Sequence, residues 1–294
     1  MRTNSIKRMI TGYVFLIPAA LFLAVFFFYP IVNSVIMSLT NWSGFSNDYE
    51  FIGFDNYIHL FTANEYFWDA LVVNLKFAVT SSVIQTILGF LLAFLLINMT
   101  KRWQSFYKIS LFLPVLIPAA TVGVMWTFIF SPEAGLLNQF LGAIGLESWQ
   151  HGWVKEYSTA LGSVIGVNTW RNVGITMVIY FITMLTISKE ITEAVTIDGG
   201  NKYHLLRYIY IPLTWFATQI NFLLSIIGGM KAFDLFYLLT GGGPGRETEV
   251  TAMLIYRTAF KNYEFSKALT MSLVLFMSIL LLTIVVNRIL KTKE

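Results

Sequence analysis

The sequence predicts an all-α integral membrane protein, a bundle of six transmembrane helices with both termini on the cytoplasmic side. Two properties of the composition carry this prediction: 56% of the 294 residues are hydrophobic and only 12% are charged, whereas soluble domains have about a quarter charged residues. The chain contains no cysteine, which excludes disulfides and thiol catalysis. Its net charge of +4 reflects basic residues placed in the loops. They form no basic stripe, so nucleic acid is not an expected partner.

Six apolar segments are each long enough to cross a bilayer, which takes roughly 20 helical residues. Prolines are expected to bend the first and third segments, and membrane helices tolerate this where neighbours satisfy the freed carbonyls. We expect the segments to pack together as a single transmembrane domain covering residues 1–294. The predicted spans cover about residues 10–38, 71–98, 109–130, 159–187, 213–240 and 268–287.

The distribution of lysine and arginine predicts the orientation, because cytoplasmic loops carry an excess of both. Most basic residues fall in the two tails and in the second and fourth connections, whereas the first connection, residues 40–69, has none. The fifth connection is an exception, with Arg246, Arg257 and Lys261. Both termini and the fourth connection, residues 188–212, are therefore predicted to be cytoplasmic.

The fourth connection is a polar segment in an otherwise hydrophobic chain, and its residues follow a defined spacing. Glu193-Ala194-Val195 is followed after three residues by Gly199, and after nine more by Ile209-x-Ile211-Pro212. This resembles the EAA signature of ABC importer permeases, which reads Glu-Ala-Ala, three residues, Gly, nine residues, Ile-x-Leu-Pro. The sequence departs from the signature at two positions: Val195 stands where the signature has alanine, and Ile211 stands where it has leucine.

Further segments resemble the carbohydrate-uptake branch of these permeases, which includes the maltose F-type and glycerol-3-phosphate A-type subunits. The resemblance extends over nearly the whole chain. It is carried by Leu16-Ile17-Pro18-Ala19-Ala20, Tyr29-Pro30-Ile31, Phe51-Ile52-Gly53-Phe54-Asp55-Asn56-Tyr57, Asp198-Gly199-Gly200, Thr240-Gly241-Gly242-Gly243-Pro244 and Ile255-Tyr256-Arg257-Thr258-Ala259-Phe260.

The resemblance implies that residues 188–212 form a coupling segment, which docks in a cleft of a cytoplasmic ATPase with Glu193 paired to a basic residue. The residue types fit: Glu193 and Ala194 would open a short helix near its favourable dipole end, and Gly199-Gly200 would end it. Pro212 would then start the next span. The alternative is an ordinary solvated loop with turn glycines. The predicted coupling residues are Glu193, Ala194, Asp198, Gly199, Gly200 and Pro212.

Energy would have to come from a partner, because no Gly-x-x-x-x-Gly-Lys-Ser/Thr phosphate loop occurs in the sequence. We therefore expect a transport subunit that is not an enzyme and needs no cofactor or metal, with ATP and Mg²⁺ bound by the partner ATPase. The resemblance implies a sugar importer in the cytoplasmic membrane that works by alternating access. Its other components would be a second homologous permease, two cytoplasmic ATP-binding subunits, an extracytoplasmic solute-binding protein, the carbohydrate substrate and the lipid bilayer.

Polar side chains within the predicted fourth and fifth spans are candidates for substrate contact. Placing a polar group in the membrane interior costs free energy unless it is hydrogen-bonded to a partner or lines a water-filled cavity. Asn172 and Ser225 fall at similar depths, near mid-bilayer at about 1.5 Å of rise per residue. Amides and hydroxyls suit sugar hydroxyls, which both donate and accept hydrogen bonds. The resemblance places the sugar contacts near Asn168, Asn172, Ile175, Ser225, Gly228, Gly229 and Ala232.

These candidates also have structural interpretations. Gly228-Gly229 would suit close helix packing, and the two asparagines would suit hydrogen bonds to neighbouring helices. Lys231 and Asp234, three residues apart, would be able to pair on one helix face, and Arg171 would pair with an acid or line water. The small residues at 228, 229 and 232 leave two options open: a pocket wide enough for a longer oligosaccharide, or a site mainly on the partner permease.

Two rival functions stay open from the sequence. A permease for glycerol-3-phosphate or another polyol phosphate would want cationic groups in its cavity, which Arg171 and Lys231 would supply. An ion-coupled secondary transporter would need intramembrane carboxylates, and only Asp234 qualifies. A membrane-embedded enzyme is less favoured still, since the sequence offers no His or Cys cluster and its three histidines lie in predicted loops.

Overall fold

A computed structural model describes residues 15–45 and 48–291 of the chain. Across these ranges the chain is helical, with a single isolated bridge between Thr40 and Phe51 and no strand, so the predicted all-α class is confirmed. Residues 10–14 of the predicted first span lie outside the described residues. The helices are α1 (Phe15–Ser38), α2 (Asp55–Thr62), α3 (Glu65–Ile97), α4 (Lys101–Leu116), α5 (Ala119–Ile129), α6 (Leu136–Ala143), α7 (Ala160–Leu185), α8 (Lys189–Ile197), α9 (Lys202–Leu213), α10 (Trp215–Met230), α11 (Asp234–Leu239), α12 (Thr251–Phe260) and α13 (Phe265–Leu290).

Three helices, α1, α3 and α13, are each long and apolar enough to cross a membrane. Three pairs qualify only together, and each pair is bent: α4 with α5 by 98°, α7 with α8 by 76°, and α9 with α10 by 65°. The described part of the chain thus has three continuous candidates, or up to six spans if each bent pair counts as one. The predicted third span crosses the bend between α4 and α5, and the predicted fifth span contains a break after Met230.

The sharp bend between α4 and α5 has a local cause at Ile117-Pro118. Proline disfavours the helical conformation of the residue before it, and Ile117 is extended, with ψ 129°. Pro114 inside α4 also lacks a backbone donor. The sequence therefore ends one helix and starts another where a single kinked span was predicted.

The chain divides into two compact units, which are described separately. One comprises Met1–Glu65 and Ile255–Val274. Within its described residues, the Asn56 amide nitrogen donates to the carbonyls of Ser38 and Thr40, each at 2.8 Å. The Thr40 hydroxyl also bonds the Ser266 hydroxyl at 3.0 Å. These buried bonds fix the segment that follows α1 against α2 and the start of α13.

The other unit, Tyr66–Leu254 and Leu275–Glu294, is built around α3 and α7. Two apolar clusters join these helices, one near the Phe77 level of α3 and one near the Ala93 level. Between the clusters α3 and α7 approach closely at Gly89, where an added Cβ would lie 2.5 Å from the Thr176 methyl group. The same stretch of both helices carries polar side chains, and these line the cavity described next.

Candidate functional site

A cavity of about 410 Å³ lies within the second unit, walled mainly by α7, α10 and the segment that joins α10 to α11, with Gln85 contributed by α3. Every residue predicted from the resemblance as a sugar contact lines it, and so do the three charged residues that the sequence singled out. Ordinary ligand pockets begin at about 300 Å³, so the cavity is large enough for a small ligand. Its predicted lining residues are Asn168, Asn172, Ile175, Ser225, Gly228, Gly229, Ala232, Arg171, Lys231 and Asp234.

On α7, Asn168 and Asn172 lie one turn apart and are joined by hydrogen bonds. The Asn172 amide nitrogen donates to both the backbone and the side-chain oxygen of Asn168, at 2.9 Å each. Both donor hydrogens of Asn172 are thereby used. Within the described residues, the Asn172 side-chain oxygen and the Asn168 amide nitrogen keep no protein partner. The pair therefore offers the cavity one acceptor group, the Asn172 oxygen, and one donor group, the Asn168 amide nitrogen.

On α10, Ser225 donates its hydroxyl hydrogen to the side-chain oxygen of Gln85 at 3.0 Å. Gln85 belongs to α3, lines the cavity and is only 3% exposed. Its amide nitrogen lies 3.5 Å from the Asn168 carbonyl oxygen, a long hydrogen bond. One buried amide thus connects the two helices that carry the predicted contacts.

The sequence reasoning missed three polar residues of the cavity: Gln85, Thr176 and Asn221. Asn221 is buried and donates to the Thr176 carbonyl at 3.4 Å. A signal was available for two of them. Asn221 lies one helical turn before Ser225, and Gln85 is a polar residue in the middle of an apolar span, the kind that marks a functional site by default.

The two adjacent glycines of α10 both line the cavity but have different surroundings. A Cβ on Gly229 would lie 2.7 Å from the Cα of Ala78, so this glycine permits close contact between α3 and α10. A Cβ on Gly228 would meet nothing within 4 Å. Gly229 therefore serves helix packing, and Gly228 opens the cavity.

The predicted pairing of Lys231 with Asp234 on one helix face is wrong, because the helix does not continue between them. Helix α10 ends at Met230, and α11 begins at Asp234, with Phe233 in a non-helical conformation of φ −138° and ψ −59°. Among the described residues no ion pair within 4.0 Å involves either side chain. Both side chains are exposed at the cavity.

Arg171 lines the cavity and has no ion pair with an acid among the described residues. Its Nε donates to the Ile117 carbonyl at 3.4 Å, at the bend between α4 and α5. A carbonyl at a helix end lacks an intrahelical donor, and the guanidinium supplies one. The other guanidinium nitrogens leave Arg171 with donors to spare at the cavity wall.

The fourth connection contains α8, and Glu193 and Ala194 lie in its middle rather than at its start. The helix begins at Lys189, after the extended residue Ser188. The carboxylate in the first turn is Glu190, whose pKa is lowered by hydrogen bonds from its own backbone N–H and from Ser188. The predicted dipole contribution therefore falls to Glu190, and Glu193 lies on the exposed surface of the helix.

The glycines end α8 as predicted, by a complete Schellman arrangement. Gly200 donates to the Val195 carbonyl at 2.8 Å, and Gly199 donates to that of Thr196 at 3.1 Å. Gly199 has a φ of +80°, and Asp198 caps the helix. A Cβ on Gly200 would lie 2.5 Å from the Val195 side chain, so both positions suit glycine.

Pro212 does not start the next span. It lies near the end of α9, after a π-helical stretch at Leu205–Tyr210 and two residues before the bend at Thr214. The helix that lines the cavity begins only at Trp215. Proline lacks the N–H that would continue the backbone ladder, which accounts for the irregular helix on its N-terminal side.

No buried residue occurs in α8. Its surface combines carboxylates with large apolar side chains, Ile191 at 41% and Ile197 at 85% exposure. Ala194 is exposed between them and keeps this part of the helix slim. The predicted coupling residues are thus accessible to a partner.

Comparison with known proteins identifies the class. Residues 85–292 match the family model described as a binding-protein-dependent transport system inner membrane component. Since this match covers more than half of the chain, the chain belongs to that family, as its resemblance to ABC importer permeases predicted. It is a membrane transport component and not an enzyme.

Individual relatives align with this chain along almost their entire length. The probable ABC transporter permease protein YurN of Bacillus subtilis is 36% identical over 287 residues, which cover 97% of this chain and 98% of that protein. The multiple sugar-binding transport system permease protein MsmF of Streptococcus mutans is 29% identical over 271 residues, 91% of each. A chain of the bacterial alginate ABC transporter, solved with an alginate pentasaccharide-bound periplasmic protein, aligns over 99% of both chains with a TM-score of 0.84. At 20% identity that last likeness concerns the fold alone.

Proposed function

We propose that this chain is the permease subunit through which an ATP-driven importer moves a sugar or oligosaccharide across the cytoplasmic membrane. The observation that carries the proposal is the alternation of donors and acceptors around the cavity. Asn168 offers a donor, Asn172 an acceptor and Ser225 an acceptor. Each hydroxyl of a sugar both donates and accepts, so a polyhydroxyl ligand is able to satisfy all of these groups together.

The relatives support a carbohydrate substrate. Their named functions include multiple sugar-binding transport for MsmF, transport of starch degradation products for AmyD of Thermoanaerobacterium thermosulfurigenes and diacetylchitobiose uptake for NgcF of Streptomyces coelicolor. The alginate transporter that shares the fold works with a periplasmic protein that binds a pentasaccharide. An extracytoplasmic solute-binding protein is accordingly a proposed partner of this chain.

The proposed complex further contains a second homologous permease and two cytoplasmic ATP-binding subunits. Helix α8 is the proposed contact with an ATP-binding subunit, with Glu193 pairing a basic residue, because the helix is preformed, exposed and directly connected to α7 and α9. Both α7 and α10 line the cavity, so displacement of α8 is expected to move its walls. Alternating access then requires that ATP and the partners each bind the two states with different affinity.

The test is ATPase activity of the reconstituted complex, stimulated by the loaded binding protein. Maltose, diacetylchitobiose and an alginate pentasaccharide are the probes. We expect one of them to stimulate wild-type hydrolysis, and Glu193→Ala to abolish most of the stimulation while the complex still assembles. Glu147→Ala, an exposed carboxylate in the connection between α6 and α7, is the matched control and should behave as wild type. Full stimulation of Glu193→Ala would contradict coupling through α8.

A phosphate-bearing substrate is the second candidate, because Arg171 and Lys231 both line the cavity without an ion-pair partner among the described residues. The relative UgpA of Salmonella choleraesuis, 27% identical over 288 residues, is an sn-glycerol-3-phosphate permease. Stimulation by sn-glycerol-3-phosphate and by none of the sugars would favour this alternative.

A further inference from the structure

Helix α3 carries a buried polar stripe that the proposed function has not yet used. Asn74, Ser81, Ser82 and Gln85 are all at most 3% exposed. Their spacing of seven, eight and eleven residues places them on one helix face. Polar groups in a membrane interior are costly unless hydrogen-bonded. Gln85 is the member of this stripe that reaches the cavity.

The hydrogen bonds of Gln85 determine what its neighbour presents to a ligand. A serine hydroxyl has one hydrogen and two lone pairs. Ser225 gives its hydrogen to the Gln85 side-chain oxygen at 3.0 Å, so toward the cavity it is left only with lone pairs. The amide nitrogen of Gln85 is directed to the Asn168 carbonyl at 3.5 Å, and this contact favours the amide orientation in which the oxygen faces Ser225 as the acceptor.

We propose that Gln85 is a specificity-determining residue: it holds Ser225 as a hydrogen-bond acceptor, so that the cavity takes a donating sugar hydroxyl at this position. Gln85 acts through Ser225 and is a positioning residue. The inference rests on the proposed sugar-permease function. It adds the direction of one hydrogen bond, with the ligand as donor and Ser225 as acceptor. A substrate group that only accepts hydrogen bonds, such as a methyl ether, is rejected there because two acceptors would face each other.

The experiment uses the complete reconstituted complex and whichever of maltose, diacetylchitobiose or alginate pentasaccharide stimulates its ATPase most. The variants are Ser225→Ala, Gln85→Met, their combination and Gln85→Glu. Methionine keeps the volume and removes the hydrogen bonds. In its protonated form, glutamic acid keeps an acceptor for Ser225 and a donor for the Asn168 carbonyl. Ser81→Ala is the matched control, since Ser81 is equally buried on the same face but does not line the cavity.

Ser225→Ala and Gln85→Met should each raise the apparent KM by about fivefold, the effect of losing one hydrogen bond. The double variant should match Ser225→Ala, because Gln85 acts on the ligand only through the Ser225 hydroxyl. Gln85→Glu and Ser81→Ala should keep the wild-type KM. A merely structural role for Gln85 would give multiplying effects in the double variant.

Two results would overturn the assignment: a wild-type KM for Gln85→Met, or single effects that multiply. If Gln85→Met does not assemble, Gln85→Glu decides, because a KM raised as in Ser225→Ala would equally contradict the assignment. Failure of the proposed function gives a different result. Wild-type complex that no sugar stimulates would refute the sugar-permease proposal, and the assignment of Gln85 with it.

Discussion

The side-chain oxygen of Asn74 accepts a hydrogen bond at 2.7 Å from the backbone N–H of Thr251, the first residue of α12. Through its nitrogen the same amide donates to the carbonyls of Gly229 and Met230, at 3.2 and 3.4 Å. These are backbone groups at helix ends, and the Gly229 carbonyl also accepts from the Ala232 N–H at 3.1 Å. One fully buried side chain in α3 therefore satisfies the end of α10 and the start of α12.

Replacing Asn74 with leucine should strongly destabilise the protein. The substitution leaves buried backbone groups without partners, at about 1–3 kcal/mol for each. We expect the melting temperature of the purified protein in detergent to fall by several degrees. Asn98→Ala is the control, because Asn98 is exposed at the end of α3 and bonds only within its own helix. Equal melting temperatures for the two variants would contradict the role of Asn74.

Alanine at the two adjacent glycines of α10 should have opposite effects on stability. At Gly229 the new methyl group would collide with the backbone of Ala78, and overpacking costs about 1–3 kcal/mol. At Gly228 it has free space, and alanine is the better helix former by about 0.5–1 kcal/mol. Thermal unfolding should show a lower melting temperature for Gly229→Ala and an equal or higher one for Gly228→Ala.

A large side chain at Gly228 should block the cavity without unfolding the protein. Gly228→Phe fills space that the structure leaves open, so we expect sugar-stimulated ATPase activity to fall at least tenfold, a barrier of about 1.4 kcal/mol. Assembly of the complex and its melting temperature are the controls. Normal stimulation in the variant would place the substrate elsewhere.

Lys231 and Asp234 should behave as independent charges. Because the break after Met230 separates them and no ion pair joins them, the effects of Lys231→Gln and Asp234→Asn on apparent KM should multiply in the double variant. A paired arrangement would instead make the second substitution harmless after the first. Steady-state ATPase assays of the three variants decide between these outcomes.

The loop before α7 should show a pH-dependent stability that Glu156 causes. The Gly152 N–H donates to this carboxylate and His151 lies 3.1 Å from it, and both lower the pKa of Glu156. A carboxyl whose folded pKa is depressed stabilises the fold above its unfolded pKa of about 4.3, and this contribution is lost as pH falls through the folded value. The difference in melting temperature between wild type and Glu156→Gln should therefore be small but positive at pH 7 and shrink as pH falls below about 4.3. The Glu156 side chain is 43% exposed, and solvent screening keeps the effect small. A constant difference across that range would contradict it.

Much of this architecture follows from local properties of the sequence. Hydropathy is enough to identify a helical membrane protein, and polar residues in apolar segments were enough to find Asn168, Asn172 and Ser225, all of which line one cavity. The Schellman end of α8 was predictable for the same reason, since Gly199 and Gly200 act within one helical turn.

Other features depend on contacts that the sequence does not contain. Pro118 signals a distortion, but a bend of 98° also needs a partner for the freed Ile117 carbonyl, which Arg171 supplies from α7. The pairing predicted for Lys231 and Asp234 failed because a helix was assumed to continue past Met230. Gln85 shows its role only when α3 is placed beside α7 and α10.

The C-terminal end of α8 and the N-terminal end of α9 are both capped, and this affects the free energy of binding a partner. Gly199 and Gly200 close α8, and Asn201 immediately caps α9 by accepting hydrogen bonds from the backbones of Tyr203 and His204. Each helix is thus complete in itself. Ordering a flexible segment costs about 1–2 kcal/mol per residue, and a partner that binds α8 meets a segment already in its final conformation. Preorganisation of this kind leaves the contact energy available for moving the helix instead of folding it.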